Sequence, residues 1–284
     1  MTAKPPTPLY TPEHAKAAFH LRYSWTGWPT SGEIPNVDLE SIKPLWETDG
    51  LRLLETSQNT NEIKLAFSAT PAVSPVFLAA RAKGRLQHAI RSSALPFAGF
   101  SRKVSVRSIG DNTTQNIEKY IARQVAKGRF ADERFATMMS EFTTADPMVD
   151  LDKPSETAAG RYWYNLHLVL EAAERLRTCD RKSLTIIRDG ASLIATKKGY
   201  AVACLSVMPD HLHLAQRGNV EHSPQEIALC FQNNLAYRLG QVRAWSGSFY
   251  VGTFGKYDFG AIRAAVKRSC HPTGLAPVVK KIDG

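Results

Sequence analysis

Two short strings carry the side chains best suited to chemistry. In VMPDHLHLAQ (207–216), His211 and His213 stand at i and i+2. On a strand both would leave the same face, with roots about 7 Å apart, while Leu212 turns into the core. Two imidazoles so placed can chelate a divalent cation and leave coordination positions open to substrate. In NIEKYIARQ (116–124), Tyr120 and Gln124 stand at i and i+4, one helical turn apart on one face. A tyrosine hydroxyl attacks a phosphodiester well when a cation withdraws charge from the phosphate. A glutamine oxygen one turn away can join that cation's shell. Each string alone has low specificity, because two half-exposed histidines, or a surface tyrosine followed by a polar residue, give the same pattern.

The elements that must position these residues form an internal repeat. Leu65 and Leu214 each precede a Ser-Pro pair by nine residues, Ser74-Pro75 and Ser223-Pro224. Each pair predicts a helix start, with serine as N-cap and proline at the first helical position. Twelve residues beyond each serine lies a leucine, Leu86 and Leu235. Further on, β-like stretches end in Gly110 and Gly255, and Ile117 and Ile262 each follow seven residues later in a predicted helix. AFHLRYSW (18–25) and YNLHLVLE (164–171) read as opening strands. Each copy therefore runs strand, variable segment, strand, helix, strand, helix. The expected fold class is α+β: two tandem ferredoxin-like (RRM-like) modules, each an antiparallel sheet with helices on one face. The expected boundaries are a tail over 1–18, a first module over 19–125, a helix plus acidic linker over 126–158, a second module over 159–270 and a tail over 271–284. Within the linker an amphipathic helix is expected around 131–142.

Composition narrows the partner. The chain has 284 residues, is 43% hydrophobic and 22% charged, and carries a formal net charge of +10. The charge divides as +5 over 1–125, −3 over 126–158 and +8 over 159–284. Two basic bodies flanking an acidic connector favour a polyanion, most often nucleic acid. Lys83, Arg85, Arg102, Lys103, Arg107, Lys197 and Lys198 are candidate phosphate contacts, although charge clusters are commonly solvated faces. Cys179, Cys204, Cys230 and Cys270 include no C-x-x-C pair, which fits reduced thiols rather than a disulfide framework or a zinc site. No apolar run is long enough for a membrane span and the N-terminus lacks a signal-peptide core, so a cytoplasmic location and no membrane partner are expected.

VMPDHLHL resembles the His-hydrophobe-His (HUH) motif of the single-tyrosine HUH transposases, the TnpA-type enzymes and their REP-associated relatives. SIGDNTTQNIEKYIARQ (108–124) resembles that family's C-terminal segment, in which a helix carries a nucleophilic tyrosine and a metal-binding glutamine. The resemblance spans about 19–125 and 159–270. It implies a metal-dependent enzyme that cleaves and rejoins single-stranded DNA through a 5′-phosphotyrosine, with Tyr120 as nucleophile and His211, His213 and Gln124 holding Mg²⁺ or Mn²⁺. Imidazole ligands suit Mn²⁺ somewhat better. The implied substrate is a hairpin with flanking single strand.

Neither copy is complete. The first has Glu62-Ile63-Lys64 where HUH belongs and keeps Tyr120 and Gln124; the second keeps His211-Leu212-His213 but has Ala265 and Ser269 at the tyrosine and glutamine positions. Family enzymes are dimers in which one subunit's tyrosine helix completes the other's HUH site. A fused pseudo-dimer of that kind would hold one intact composite site and one from which every chemical group is gone. A single site leaves two-cleavage transposition to a homodimer, or restricts the chain to nicking and joining. The competing expectations are a catalytically dead DNA-hairpin-binding protein and an unrelated basic α+β RNA-binding module.

Overall fold

The computed structural model describes residues 7–93, 95–128, 130, 132–173 and 180–256. The chain opens with two consecutive strands, β1 (Lys16–His20) and β2 (Arg22–Pro29), divided at Leu21. A short helix α1 (Lys43–Thr48) leads into β3 (Leu51–Gln58) and β4 (Ile63–Ala69). Helix α2 (Pro75–Ser92) starts as its sequence demands, with Pro75 in the first turn and the Ser74 hydroxyl accepting the Phe77 amide at 3.2 Å. It is followed by β5 (Phe100–Ile109), α3 (Thr114–Ala122) and the one-turn α4 (Gln124–Lys127). Over 126–158 come α5 (Glu133–Ser140), capped by Asp132, and two three-residue strands, β6 (Thr143–Ala145) and β7 (Ser155–Thr157).

The second half repeats the pattern. Strands β8 (Gly160–Trp163) and β9 (Asn165–Ala172) are divided at Tyr164 as β1 and β2 are at Leu21. Then come α6 (Arg181–Lys198), β10 (Ala201–Val207), β11 (His211–Arg217), α7 (Pro224–Leu239) and β12 (Trp245–Thr253). Helix α7 carries a full capping box, Ser223 with Glu226, behind Pro224.

The described residues form an α+β fold with two six-stranded sheets, β3-β4-β2-β5-β8-β7 and β1-β12-β9-β11-β10-β6. Both contain the same antiparallel core: β3-β4-β2-β5 in one corresponds to β10-β11-β9-β12 in the other. The registers agree residue by residue. Lys64 pairs with Thr26 as His213 pairs with Val169, so Arg22 corresponds to Asn165 and Ser24 to His167.

Two features depart from simple antiparallel modules. The opening strand of each half crosses into the other half's sheet: β1 runs parallel to β12, and β8 runs parallel to β5. Helices also cover both faces of the second sheet. Leu166, Leu168, Leu170, Leu212 and Leu214 join the main core with α6 and α7. On the opposite face Ile117 and Ile121 of α3 pack with Cys204, Ala215 and Phe254 in a separate cluster. Strand alternation sends these two sets of side chains to opposite faces.

Reciprocal contacts fasten the crossover. The Arg22 amide donates to the Thr253 hydroxyl at 2.8 Å, and the corresponding Asn165 amide donates to the Ser108 hydroxyl at 3.1 Å. A Cβ on Gly110 would stand 2.3 Å from the Thr253 carbonyl oxygen, and one on Gly255 would stand 2.6 Å from that of Ser108. The repeated glycines are therefore places where backbone meets backbone.

Candidate active site

Strand β11 presents His211 and His213 to the α3 face and buries Leu212 and Leu214 on the other. The two imidazoles lie edge to face, their centroids 4.7 Å apart. Across the strand pair stands a third, His167 of β9, nearly parallel to His213 at 5.2 Å. Its Nε2 lies 3.0 Å from His213 Nδ1, within hydrogen-bonding distance. His211 Nδ1 faces Asp210 Oδ1 at 2.7 Å. A cleft of about 370 Å³ opens beside the pair, lined by Val169, Glu171, Ala172, Asp210, His211 and His213.

Tyr120 reaches this face from α3, an element of the first half. Its ring meets His213 at 5.5 Å and His167 at 5.9 Å, both edge to face. It is 39% exposed, so a substrate can reach it. Lys127 sets its ammonium 4.2 Å from the centre of the same ring. Helix α3 is held in place by the Ile117 and Ile121 contacts, by its Thr113 cap, and by the Thr114 hydroxyl donating to Asp152 at 2.9 Å.

Gln124 is buried, but the helix is interrupted between it and Tyr120: Arg123 has φ −93° and ψ 4°, and Gln124 begins α4. Its amide nitrogen donates to the Tyr120 carbonyl at 3.0 Å, which draws the side chain back toward the tyrosine.

Burial sets the protonation of the histidines. Desolvation takes His167 down to about 4. His213 falls to about 2 through desolvation and then the neighbouring His167, His211 and Lys127. Both are neutral at pH 7, the form in which imidazole binds a cation. Tyr250 of β12 also touches His167, at 5.8 Å. Its hydroxyl is pushed upward by burial, then by Asp111 and Tyr120.

These contacts bear on whether the residues fit a divalent cation. Among the described residues, no group of three or more His, Cys, Asp or Glu side chains is arranged to hold a metal. The donors that lie together are the imidazoles of His211 and His213, while the printed contact of the Gln124 side chain is with the Tyr120 carbonyl. Each imidazole has its Nδ1 engaged, by Asp210 and by His167, which leaves Nε2 as the outward nitrogen. Outer partners that fix the ring in this way are the usual accompaniment of a histidine ligand. The two imidazoles so held fit part of a divalent cation's shell.

The corresponding face of the first sheet is chemically different. Glu62 and Lys64 pair with each other at 3.3 Å, Ser24 stands at the His167 position, and Arg107 stacks over Trp163 at 4.0 Å. Ala265 and Ser269 lie outside the described residues, as do Cys179 and Cys270.

The candidate phosphate contacts lie on three elements. Lys83 and Arg85 lie on α2, where Lys83 donates to the Ser101 carbonyl at 2.8 Å and Arg85 is bound by Asp49 at 3.1 Å. Arg102, Lys103 and Arg107 lie on β5 of the same half. Lys197 and Lys198 end α6 in the other half, where they offset the helix dipole. Reading the sequence missed His167, Asp210 and Lys127. Only Asp210 carried a local signal, as the residue preceding the His pair. No described helix is long and apolar enough to cross a membrane.

No family model matches the chain, and no curated protein matches it. Among solved structures it is similar to a crystal structure described as "a putative transposase" from Deinococcus radiodurans R1. The two share 22% identity over 37% of this chain and 85% of that one, with a TM-score of 0.29. A likeness this slight supports no assignment of activity.

Proposed function

We propose that the chain is a metal-dependent, single-stranded DNA nicking and joining enzyme of the HUH tyrosine type. In this reading it is a fused pair of ferredoxin-like modules with one composite site. The observation that carries the proposal is Tyr120, delivered by a helix of the first half onto the His167–His213 face of the second. His211, His213 and Gln124 would hold Mn²⁺ or Mg²⁺, which when bound withdraws charge from a phosphate oxygen. Tyr120 Oη then attacks phosphorus. The Oη–P bond forms as Oη gives up its proton, the P–O3′ bond breaks, and the departing 3′ oxygen takes up a proton in exchange. The 5′-phosphotyrosine conserves the bond energy, so a second 3′-hydroxyl can rejoin the strand without ATP. The exposed ammonium of Lys127 beside the ring supplies a contact for the substrate phosphate.

The ion pair of Glu62 with Lys64 supports reading the second composite site as empty of chemistry. One site per chain leaves paired cleavage to a homodimer. The rival reading, hairpin binding without catalysis, draws on one observation, the lack of a three-member His, Cys, Asp or Glu cluster among the described residues. End-labelled single-stranded DNA hairpin pools incubated with Mn²⁺ or EDTA distinguish the two on a denaturing gel. The enzyme reading predicts a metal-dependent, SDS-resistant adduct that is lost in Tyr120→Phe and His211→Ala. Binding without any adduct supports the rival.

A further inference from the structure

The contact between His167 and His213 needs one proton and one lone pair, and two arrangements satisfy it. Either His213 donates from Nδ1 to His167 Nε2, or His167 donates from Nε2 to His213 Nδ1. They differ at the atom that matters, because a neutral imidazole carries one proton. In the first arrangement His213 Nε2 is a bare lone pair. In the second it is an N–H and cannot bind a cation.

His211 shows which arrangement the site is built around. Its Nδ1 lies 2.7 Å from a carboxylate oxygen of Asp210, which only accepts. In the neutral ring the proton is thus on Nδ1, which leaves Nε2 as the lone-pair nitrogen. His213 lies on the same strand and face but is buried, and it meets a histidine where His211 meets a carboxylate. The third imidazole belongs to this face alone, since Ser24 occupies the corresponding position in the other sheet.

We infer that His167 is a positioning residue: it accepts the Nδ1 proton of His213 through its own Nε2, fixing His213 with Nε2 free for a divalent cation. This rests on the metal-dependent reading above, but its primary test needs neither metal nor DNA.

In metal-free protein labelled with ¹⁵N-histidine, the two-bond nitrogen–proton couplings show which ring nitrogen of His213 carries the proton. The inference expects Nδ1–H in the wild type. It also expects Nδ1–H in His167→Gln, whose amide oxygen can accept the same bond, and a rise of Nε2–H in His167→Phe, which fills the space without an acceptor. Mn²⁺ affinity, followed by electron paramagnetic resonance, should fall about 10–100-fold in the phenylalanine variant and return to within a few-fold in the glutamine variant. If the phenylalanine variant does not fold, the glutamine variant decides. Loss there of the Nδ1–H form or of Mn²⁺ uptake seen in the wild type overturns the inference, as does an Nε2–H His213 in the wild type. A wild type with the Nδ1–H form that takes up no Mn²⁺ upholds the tautomer and refutes the metal-dependent reading.

Discussion

Substituting Ile121 by alanine tests whether α3 is a separately docked element. Ile121 is fully buried, yet its neighbours are few: Ile117, Leu151, Ala203, Cys204, Ala215 and Phe254 form a cluster apart from the main core. Removing three carbons at about 0.8 kcal/mol each costs about 2.4 kcal/mol in transfer. The sheet behind it cannot collapse onto the gap, so a cavity contribution brings the loss to about 3 kcal/mol. The loss falls on docking of α3 rather than on the main core, which makes it a local opening. At about 1.4 kcal/mol per decade, native-state hydrogen exchange over 114–127 should quicken about 100-fold. Exchange in β9, β11 and β12 should be nearly unchanged, and any DNA adduct should drop with the docked population. Uniform acceleration through both sheets, or no acceleration in α3, would refute the reasoning.

Three further outcomes follow from the same geometry. The depressed His167 and His213 mean that the unfolded chain, with ordinary histidines near 6.5, binds more protons below that pH. Stability should therefore decline as pH falls from about 6.5 toward 4, by about 2 kcal/mol at pH 5 for His167 alone; urea titrations of wild type against His167→Gln should show the difference vanish above pH 7. Gly110→Ala places a methyl 2.3 Å from the Thr253 carbonyl, so thermal unfolding should drop by several degrees, whereas the same change at the open Gly84 should not lower it. Lys127→Ala should leave the fold intact while reducing the salt dependence of single-stranded DNA binding by a log–log slope of about 0.7, measured by anisotropy in a Tyr120→Phe background.

The Ser-Pro helix starts, the repeated glycines and the alternation of His211, Leu212 and His213 were legible because each depends on local geometry. A cap, a close backbone approach and a strand pleat leave marks a few residues long. The exchange of β1 and β8 between sheets left none. A five-residue strand such as KAAFH looks the same whichever sheet edge it joins, and its parallel partner β12 lies more than two hundred residues away. The presence of α3 on the far face of the second sheet also depends on Ala215 and Cys204 being small enough to receive Ile121, which only the assembled sheet shows. His167 escaped notice because one histidine on a strand has no spacing to give it away; register alone sets it against His213. The basic residues were legible as charge but not as surface, since Arg85 is engaged by Asp49 and Lys83 by a backbone carbonyl.

The central claim is that a tyrosine from one half works against histidines of the other. Peptide mapping of the covalent adduct tests it most directly, because two tyrosines, Tyr120 and Tyr250, flank the same His167 ring. After Mn²⁺-dependent reaction with a labelled hairpin, tryptic digestion should leave the DNA on the peptide between Lys119 and Arg123, which contains Tyr120 as its sole tyrosine. DNA on the Tyr250 peptide, or no covalent product in the presence of bound hairpin and Mn²⁺, would contradict the account.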